Sequence, residues 1–318
     1  MKINSKILPE IIFKGFKERL DYSDYGTWNS QELDEKDIPD IRHFYNNSFR
    51  RGLIEYPEKS PHPKPYSTNK FSPLFFINNY LKIILSQKTI RKQLENYYYT
   101  YSTIGVDYPK YDSDDIDFYY DIDGYAFNHN FRKYSEFILT LRQFIKMENL
   151  NVCEIGGGYG GLTELMIKNN LIKNYIIIDL FETLSVSMTY LIDKIKEPYS
   201  CNLINSEKDM EEIEGDFNLI FIPTKVYSNI NNFLKENFEI DIFINSNSFV
   251  EMSKNDLNDY FSFIHQFNHV YLFSYNKIKR VEQGKMMSAY EFPYDNNWRD
   301  IYFKEDKRYG ELVRLSYR

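Results

Sequence analysis

Five of the chain's 13 glycines fall within six consecutive positions, at the end of the run Asn151-Val-Cys-Glu-Ile-Gly-Gly-Gly-Tyr-Gly-Gly161. The run reads as a β-strand entering a glycine turn entering a helix. Glycines at such a turn let the backbone approach a ligand closely, and the helix N-terminus behind it offers unpaired N–H groups. Strand Tyr175-Ile-Ile-Ile-Asp179 follows and ends in a carboxylate 23 residues after Gly156. A carboxylate leaving the second strand of such a unit can accept hydrogen bonds from both ribose hydroxyls of a nucleoside ligand.

The surrounding sequence keeps the same rhythm. A helix with apolar positions Phe131, Tyr134, Ile138, Leu141 and Ile145 leads into the first strand, Val152 to Ile155. Further strands are expected at Tyr175 to Asp179, Phe217 to Ile222, Asp241 to Asn245 and Val270 to Tyr275. Helical segments separate them: one carries Leu184, Met188, Leu191 and Ile195 on one face, and others span Asn229 to Glu236 and Lys254 to Phe267. Alternating strands and helices imply right-handed crossovers and a parallel sheet covered on both faces. At the end, Arg299 to Glu305 and Glu311 to Arg318 leave no room for a helix between them, so an antiparallel hairpin closes the sheet. The expectation is an α/β, doubly wound, seven-stranded domain over residues 125–318, preceded by a mainly helical domain over 1–124 that shapes a substrate site.

The first part is less regular. Ile7, Ile11, Phe16 and Leu20 keep helical spacing, as do Phe76, Tyr80, Ile83, Ile90, Leu94 and Tyr97, and both stripes read as core. Pro57, Pro61, Pro63 and Pro65 force an extended surface loop between them. Seven aspartates from Asp107 to Asp123 suggest calcium, but no frame supplies an EF-hand's ligand set, so the segment reads as a solvated acidic loop, a candidate lid with Tyr119, Tyr120 and Tyr125 near it.

Composition narrows the function. With 46 acidic against 39 basic residues in 318, the net charge is -7, and no stretch gathers a phosphate-tracking face, which argues against nucleic acid as the main partner. Cys153 and Cys201 are not a CxxC pair, so neither a disulfide framework nor a thiolate zinc site is expected. No apolar run has the form of a secretory signal or a membrane span, and the chain reads as a soluble cytoplasmic enzyme.

Gly156, Gly158 and Gly161 also satisfy the dinucleotide spacing GxGxxG, so the glycines alone leave nicotinamide and S-adenosylmethionine open. Three features favour S-adenosylmethionine. Glu154 precedes the first glycine by two residues, where a carboxylate would orient the methionine end of that cofactor. The unit begins after ~150 residues with too little sequence behind it for a separate catalytic domain. The closing hairpin suits a seven-stranded methyltransferase sheet.

The strings CEIGGGYGGLTELM, YIIIDLFETLSVSMTYLI and DIFINSNSFVEMS, with Tyr260 and Phe261 behind them, resemble the sugar O-methyltransferase family of the class I S-adenosylmethionine-dependent superfamily. The likeness covers Gly124 to Asn276, and Phe181 stands where that family commonly has proline. It implies that Gly156, Gly157, Gly158 and Tyr159 wrap the methionine moiety, that Asp179 binds ribose, and that Leu180 lies against adenine. Thr224 would touch adenine or act only as a helix cap. Some sugar methyltransferases use a divalent metal; no ligand cluster here indicates one.

Methyl transfer to a hydroxyl needs in-line alignment in a dry cavity, helped by a base. Glu251, six residues after the fourth strand and before a helix that Ser253 and Asp256 would cap, is a candidate base or sugar-gripping group; its bland alternative is a charge at a helix start. Asn245, Asn247 and Ser248 suit hydrogen bonds to polyol edges. His129 is the second base candidate, with Arg132 one turn on as a substrate contact, while His265 and His269 read as solvated. The expected partner is a sugar or sugar-nucleotide substrate, nucleotide-linked or a polysaccharide precursor. Another small polar metabolite methylated at O or N, a nicotinamide oxidoreductase, and a non-catalytic binding module remain the alternatives.

Overall fold

In the computed structural model the described residues are 1–4, 6–8, 10–12, 89–111, 120–195, 198–278, 287–306 and 310–318. The expectations for Phe16, Leu20, Phe76, Tyr80 and Ile83, the proline-rich loop, Asp112, Asp114, Asp115, Asp117 and Tyr119 lie outside them. Helix α1 covers residues 89–103, and a small hairpin, β1 (Tyr120–Ile122) with β2 (Tyr125–Phe127), follows. Then come α2 (His129–Arg142), β3 (Leu150–Ile155), α3 (Gly161–Lys168), β4 (Ile172–Asp179), α4 (Phe181–Lys194) and β5 (Ser200–Leu203). The chain continues through α5 (Glu207–Glu211), β6 (Asn218–Pro223), α6 (Thr224–Asn237), β7 (Ile242–Ser246), α7 (Lys254–Ile264), β8 (Tyr271–Lys277), β9 (Arg299–Asp306) and β10 (Glu311–Tyr317).

The doubly wound sheet forms as expected, with eight strands in the order β5-β6-β4-β3-β7-β8-β10-β9. All neighbours from β5 to β8 pair in parallel, and β10 inserts antiparallel between β8 and β9. The strand missing from the sequence reading is β5, four residues paired with Asn218 to Phe221 of β6. Its alternating polar and apolar residues are too few to register as a period.

Side chains alternate across the sheet. Val152, Tyr175, Ile177, Ile244 and Phe273 join the face covered by α2, α3 and α4. Cys153, Ile155, Ile176, Phe243 and Leu272 join the face covered by α6 and α7. Helix α2 ends just before β3 begins, so it runs antiparallel to the parallel strands and its first turns lie at their carboxyl ends. Its packing fits that direction, with Phe137 4.8 Å from Tyr275 near the end of β8 and Phe144 5.5 Å from Tyr302.

Several early expectations shift. The buried positions near the start are Leu8 and Ile12, one residue on from Ile7 and Ile11. In α1 the inward stripe is Leu94, Tyr98 and Tyr101, while Tyr97 is exposed. The boundary expected after Gly124 falls in the turn of the β1–β2 hairpin, and Asp121 and Asp123 serve that turn and α1: Asp121 accepts from Gly124 N at 2.8 Å and Asp123 from the Tyr99 hydroxyl at 2.8 Å. Tyr98, Tyr108, Phe127 and Phe131 pack together across the boundary in tilted and edge-to-face contacts. His265, expected in solvent, lies half-buried 6.2 Å from Trp298. Among the described residues, no helix is long and apolar enough to cross a membrane.

Candidate functional site

The glycine turn sits at the carboxyl end of β3, flanked by the ends of β4 and β7. Gly156, Gly158 and Gly160 adopt φ of +77°, +58° and +90°, a region closed to most side chains. Every glycine of the turn but Gly158 also has a specific close neighbour. A side chain at Gly156 would collide with Ser248, one at Gly157 would come within 2.7 Å of Ile177, and one at Gly161 would enter the Tyr159 phenol. Gly158 alone of the turn faces open space. Gly156 N, Gly158 N and Gly160 N are taken up within the fold, by Ile178 O, Asp179 Oδ2 and Gly157 O, so what the turn offers a ligand is the open surface at Gly158.

Two carboxylates frame it. Asp179 ends β4 half-buried, its Oδ2 accepting from Gly158 N at 3.1 Å and its Oδ1 from Leu180 N at 2.7 Å. Leu180 caps α4 beside it and is half-buried. Glu154 lies beneath the turn, 2% exposed, and its Oε2 accepts from the Tyr175 hydroxyl at 2.8 Å. Burial pushes the Glu154 carboxyl up to about 8; the Tyr175 hydrogen bond and Lys133 oppose that rise, and the Asp179 charge adds to it. Two features of this cradle fit the methionine and ribose ends of a nucleoside cofactor: an open glycine and a half-buried carboxylate on the next strand.

Thr224 is the first residue of α6, half-buried, and the cap is Pro223, which makes no side-chain cap bond. Since Pro223 pairs with Asp179 across β4 and β6, Thr224 begins the helix next to Asp179. Tyr159 departs from expectation. Its side chain is 2% exposed and turns inward, 5.2 Å from the Tyr190 ring, so only its backbone belongs to the turn. Gly161 leaves the space that the phenol fills. The third glycine of the dinucleotide spacing thus serves a packed ring.

The turn after β7 divides into inner and outer groups. Asn245 is 0% exposed and fully engaged: Nδ2 donates to Ile155 O at 2.7 Å and to Ser248 Oγ, while Oδ1 accepts from Asn276 Nδ2 at 2.9 Å and from Phe249 N at 3.3 Å. It ties three strand ends together and presents no edge to a sugar. Ser248 Oγ donates to Ile155 O at 3.0 Å and packs on Gly156. Asn247 takes φ +66°, and its Oδ1 and Ser246 Oγ are buried without a hydrogen-bond partner among the described residues. Glu251 closes a 3-10 turn, Phe249–Glu251, and is half-buried. Ser253 caps α7, accepting from Asp256 N at 3.2 Å.

Across the cleft, α2 contributes its first turns. His129 is exposed; desolvation and then the Arg132 guanidinium lower its pKa, favouring a neutral imidazole. Arg132 lies over the Tyr97 ring at 5.1 Å and pairs with Glu136 at 3.1 Å, and Glu136 also accepts from the Tyr101 hydroxyl at 2.8 Å. Burial and the nearby Glu311 carboxylate raise the pKa of the Tyr275 hydroxyl. Lys133, Glu136, Tyr101, Tyr175 and Tyr275 are site neighbours that sequence reasoning missed. The signal for Lys133 and Glu136 was their place on the flanks of the α2 apolar stripe. Among the described residues, no three His, Cys, Asp or Glu side chains gather to hold a metal.

No family model matches this sequence, and no curated protein matches it. Solved structures give distant likenesses. A mutant of MtNAS in complex with S-adenosylmethionine is 9% identical over 60% of this chain and 63% of its own, with a TM-score of 0.38. The methyltransferase domain of bacterial CtHen1-CN is 13% identical over 60% of this chain and 100% of its own, with a TM-score of 0.39. Magnesium protoporphyrin IX methyltransferase from Synechocystis PCC 6803 with bound SAH is 11% identical over 59% and 82%, with a TM-score of 0.39. The chain spans less than two thirds of the first of these. At such identities and scores none carries an argument about chemistry, and the reading of the site rests on its own geometry.

Proposed function

We propose that this protein is an S-adenosylmethionine-dependent O-methyltransferase acting on a sugar hydroxyl, in a nucleotide-linked or polysaccharide precursor. The observation that carries the cofactor is the glycine turn held between buried Glu154 and the strand-end carboxylate Asp179, with open space at Gly158. The antiparallel β10, inserted between β8 and β9, supports a methyltransferase sheet over a dinucleotide one. The sugar rests on the resemblance of the three motifs and on the polar turn after β7 that carries Asn247.

When bound, S-adenosylmethionine supplies an electrophilic methyl group. The chain's residues do the rest. Asp179 would hold the ribose, and Leu180 and Thr224 would border the base. A side-chain base beside the acceptor hydroxyl would take its proton as the hydroxyl oxygen receives the methyl group. Glu251 is that base in this reading, and neutral His129 is the second candidate.

Calorimetric titration with S-adenosylhomocysteine and, separately, with NAD tests the cofactor. Micromolar binding of S-adenosylhomocysteine alone is expected, whereas binding of NAD alone would move the chain to the oxidoreductases. Glu251→Gln is expected to keep S-adenosylhomocysteine affinity and lower turnover by about 10²-fold or more. A Glu251→Gln variant as fast as wild type, beside a slowed His129→Asn variant, transfers the role to His129.

A further inference from the structure

The amino-acid end of the proposed cofactor is a zwitterion, and Glu154 can answer only its ammonium. Its carboxylate needs a partner, since a buried or half-buried anion without one is costly, and a nearby cation is the strongest. The residues on the cofactor face of the sheet supply one candidate. Glu154 pairs in register with Ile244, and Ile244 with Phe273, so these three side chains share a face; Tyr275, two residues on, shares it too. Helix α2 packs on that face through Phe137, 5.0 Å from Phe273. One turn earlier, Lys133 reaches over the same rings, its Nζ 5.4 Å from the Tyr275 centroid, 5.9 Å from Phe137 and 5.3 Å from Tyr134.

Tyr134 and Phe137 lie on α2 itself, and the contact with Tyr275 puts this half-buried ammonium on the sheet side of the helix. Its charge acts on Glu154.

We infer that Lys133 is a cofactor-binding residue that pairs with the α-carboxylate of S-adenosylmethionine, opposite Glu154 on the ammonium. The inference rests on the cofactor reading above. It makes the amino-acid clamp bipartite, with Glu154 of β3 facing the ammonium and Lys133 of α2 facing the carboxylate.

The test compares two probes that share the nucleoside and differ in the amino-acid end, S-adenosylhomocysteine and 5′-methylthioadenosine, by calorimetry on the full chain. Lys133→Met is expected to lose at least tenfold in affinity for S-adenosylhomocysteine, while 5′-methylthioadenosine changes less than twofold. Lys133→Arg, which keeps the charge, is expected to recover most of the loss. Melting curves check that the variants are folded. Equal S-adenosylhomocysteine affinity in Lys133→Met and wild type overturns the inference while leaving the cofactor reading intact. A parallel loss for both probes also overturns it, since Lys133 then acts through the fold. Failure of wild type to bind either probe overturns the cofactor reading, and this inference with it.

Discussion

Asp179 is engaged before any ligand arrives, bonded to Gly158 N and Leu180 N, so it shapes the turn. Asp179→Ala is expected to weaken S-adenosylhomocysteine binding by roughly 1.5–3 kcal/mol, read by calorimetry, since charge-assisted bonds are lost. Glu154 gives a pH prediction of definite sign. Its folded pKa of about 8 lies above the ~4.3 of an unfolded glutamate, so between those values the folded chain holds a proton that the unfolded chain has lost. The stability this proton brings is fully present below ~4.3 and is lost as pH rises through about 8. Glu154→Gln removes the titration: its melting temperature is expected to fall less steeply from pH 6 to 9, with the variant ahead by roughly 1–3 kcal/mol at the alkaline end. Parallel curves would show that Glu154 titrates normally. The position of Glu154 was legible in the sequence, because it precedes a glycine turn. Its partner Tyr175 was not, since the contact depends on β3–β4 register. Tyr159 was misjudged for a related reason: the chain order fixes where its backbone runs, and only packing against Tyr190 decides which way the ring turns.

The strand-to-helix junctions are held by close approaches that tolerate no substitution. Gly156→Ala combines a positive φ with a collision against Ser248 and is expected to cost about 2–4 kcal/mol in denaturant melts. Adding Ser248→Gly is expected to restore the collision part, leaving about 1 kcal/mol of backbone strain; no recovery at all would mean that φ alone sets the cost. Asn245 shows how an element-level role can hide a residue's meaning. Read in sequence, an asparagine at a strand end is a polyol contact or a turn former; in the fold it joins β3, β7 and β8 through four hydrogen bonds. Long elements were read well because apolar periodicity repeats over many residues, as in α2 and β4. Short ones, β5 and the β1–β2 hairpin, depend on pairing with distant strands and leave little local pattern.

At the scale of the molecule, one buried cluster runs from Ile3, Leu8 and Leu94 through α2 to Leu315. Ile3 N donates to Cys201 O at 2.8 Å, and Lys2 bridges antiparallel to Asn202, so the β5 edge is covered by residues far away in sequence. The described residues before Gly124 share that cluster with the rest. Thermal unfolding, followed by calorimetry and circular dichroism, is expected to show one transition for the described core; two resolved transitions would mark 1–124 as an independent unit. The place of β10 has a consequence for how the chain reaches this state. Strand β9 is made before β10 yet touches the sheet only through it, so its residues have no docking edge until the following segment arrives. The last step of sheet assembly is then a long-range search in which β10 must find β8 and bring β9 with it. Until that step is complete, the β8 edge stays open, and a nascent or unfolding chain is most exposed to pairing with its neighbours there.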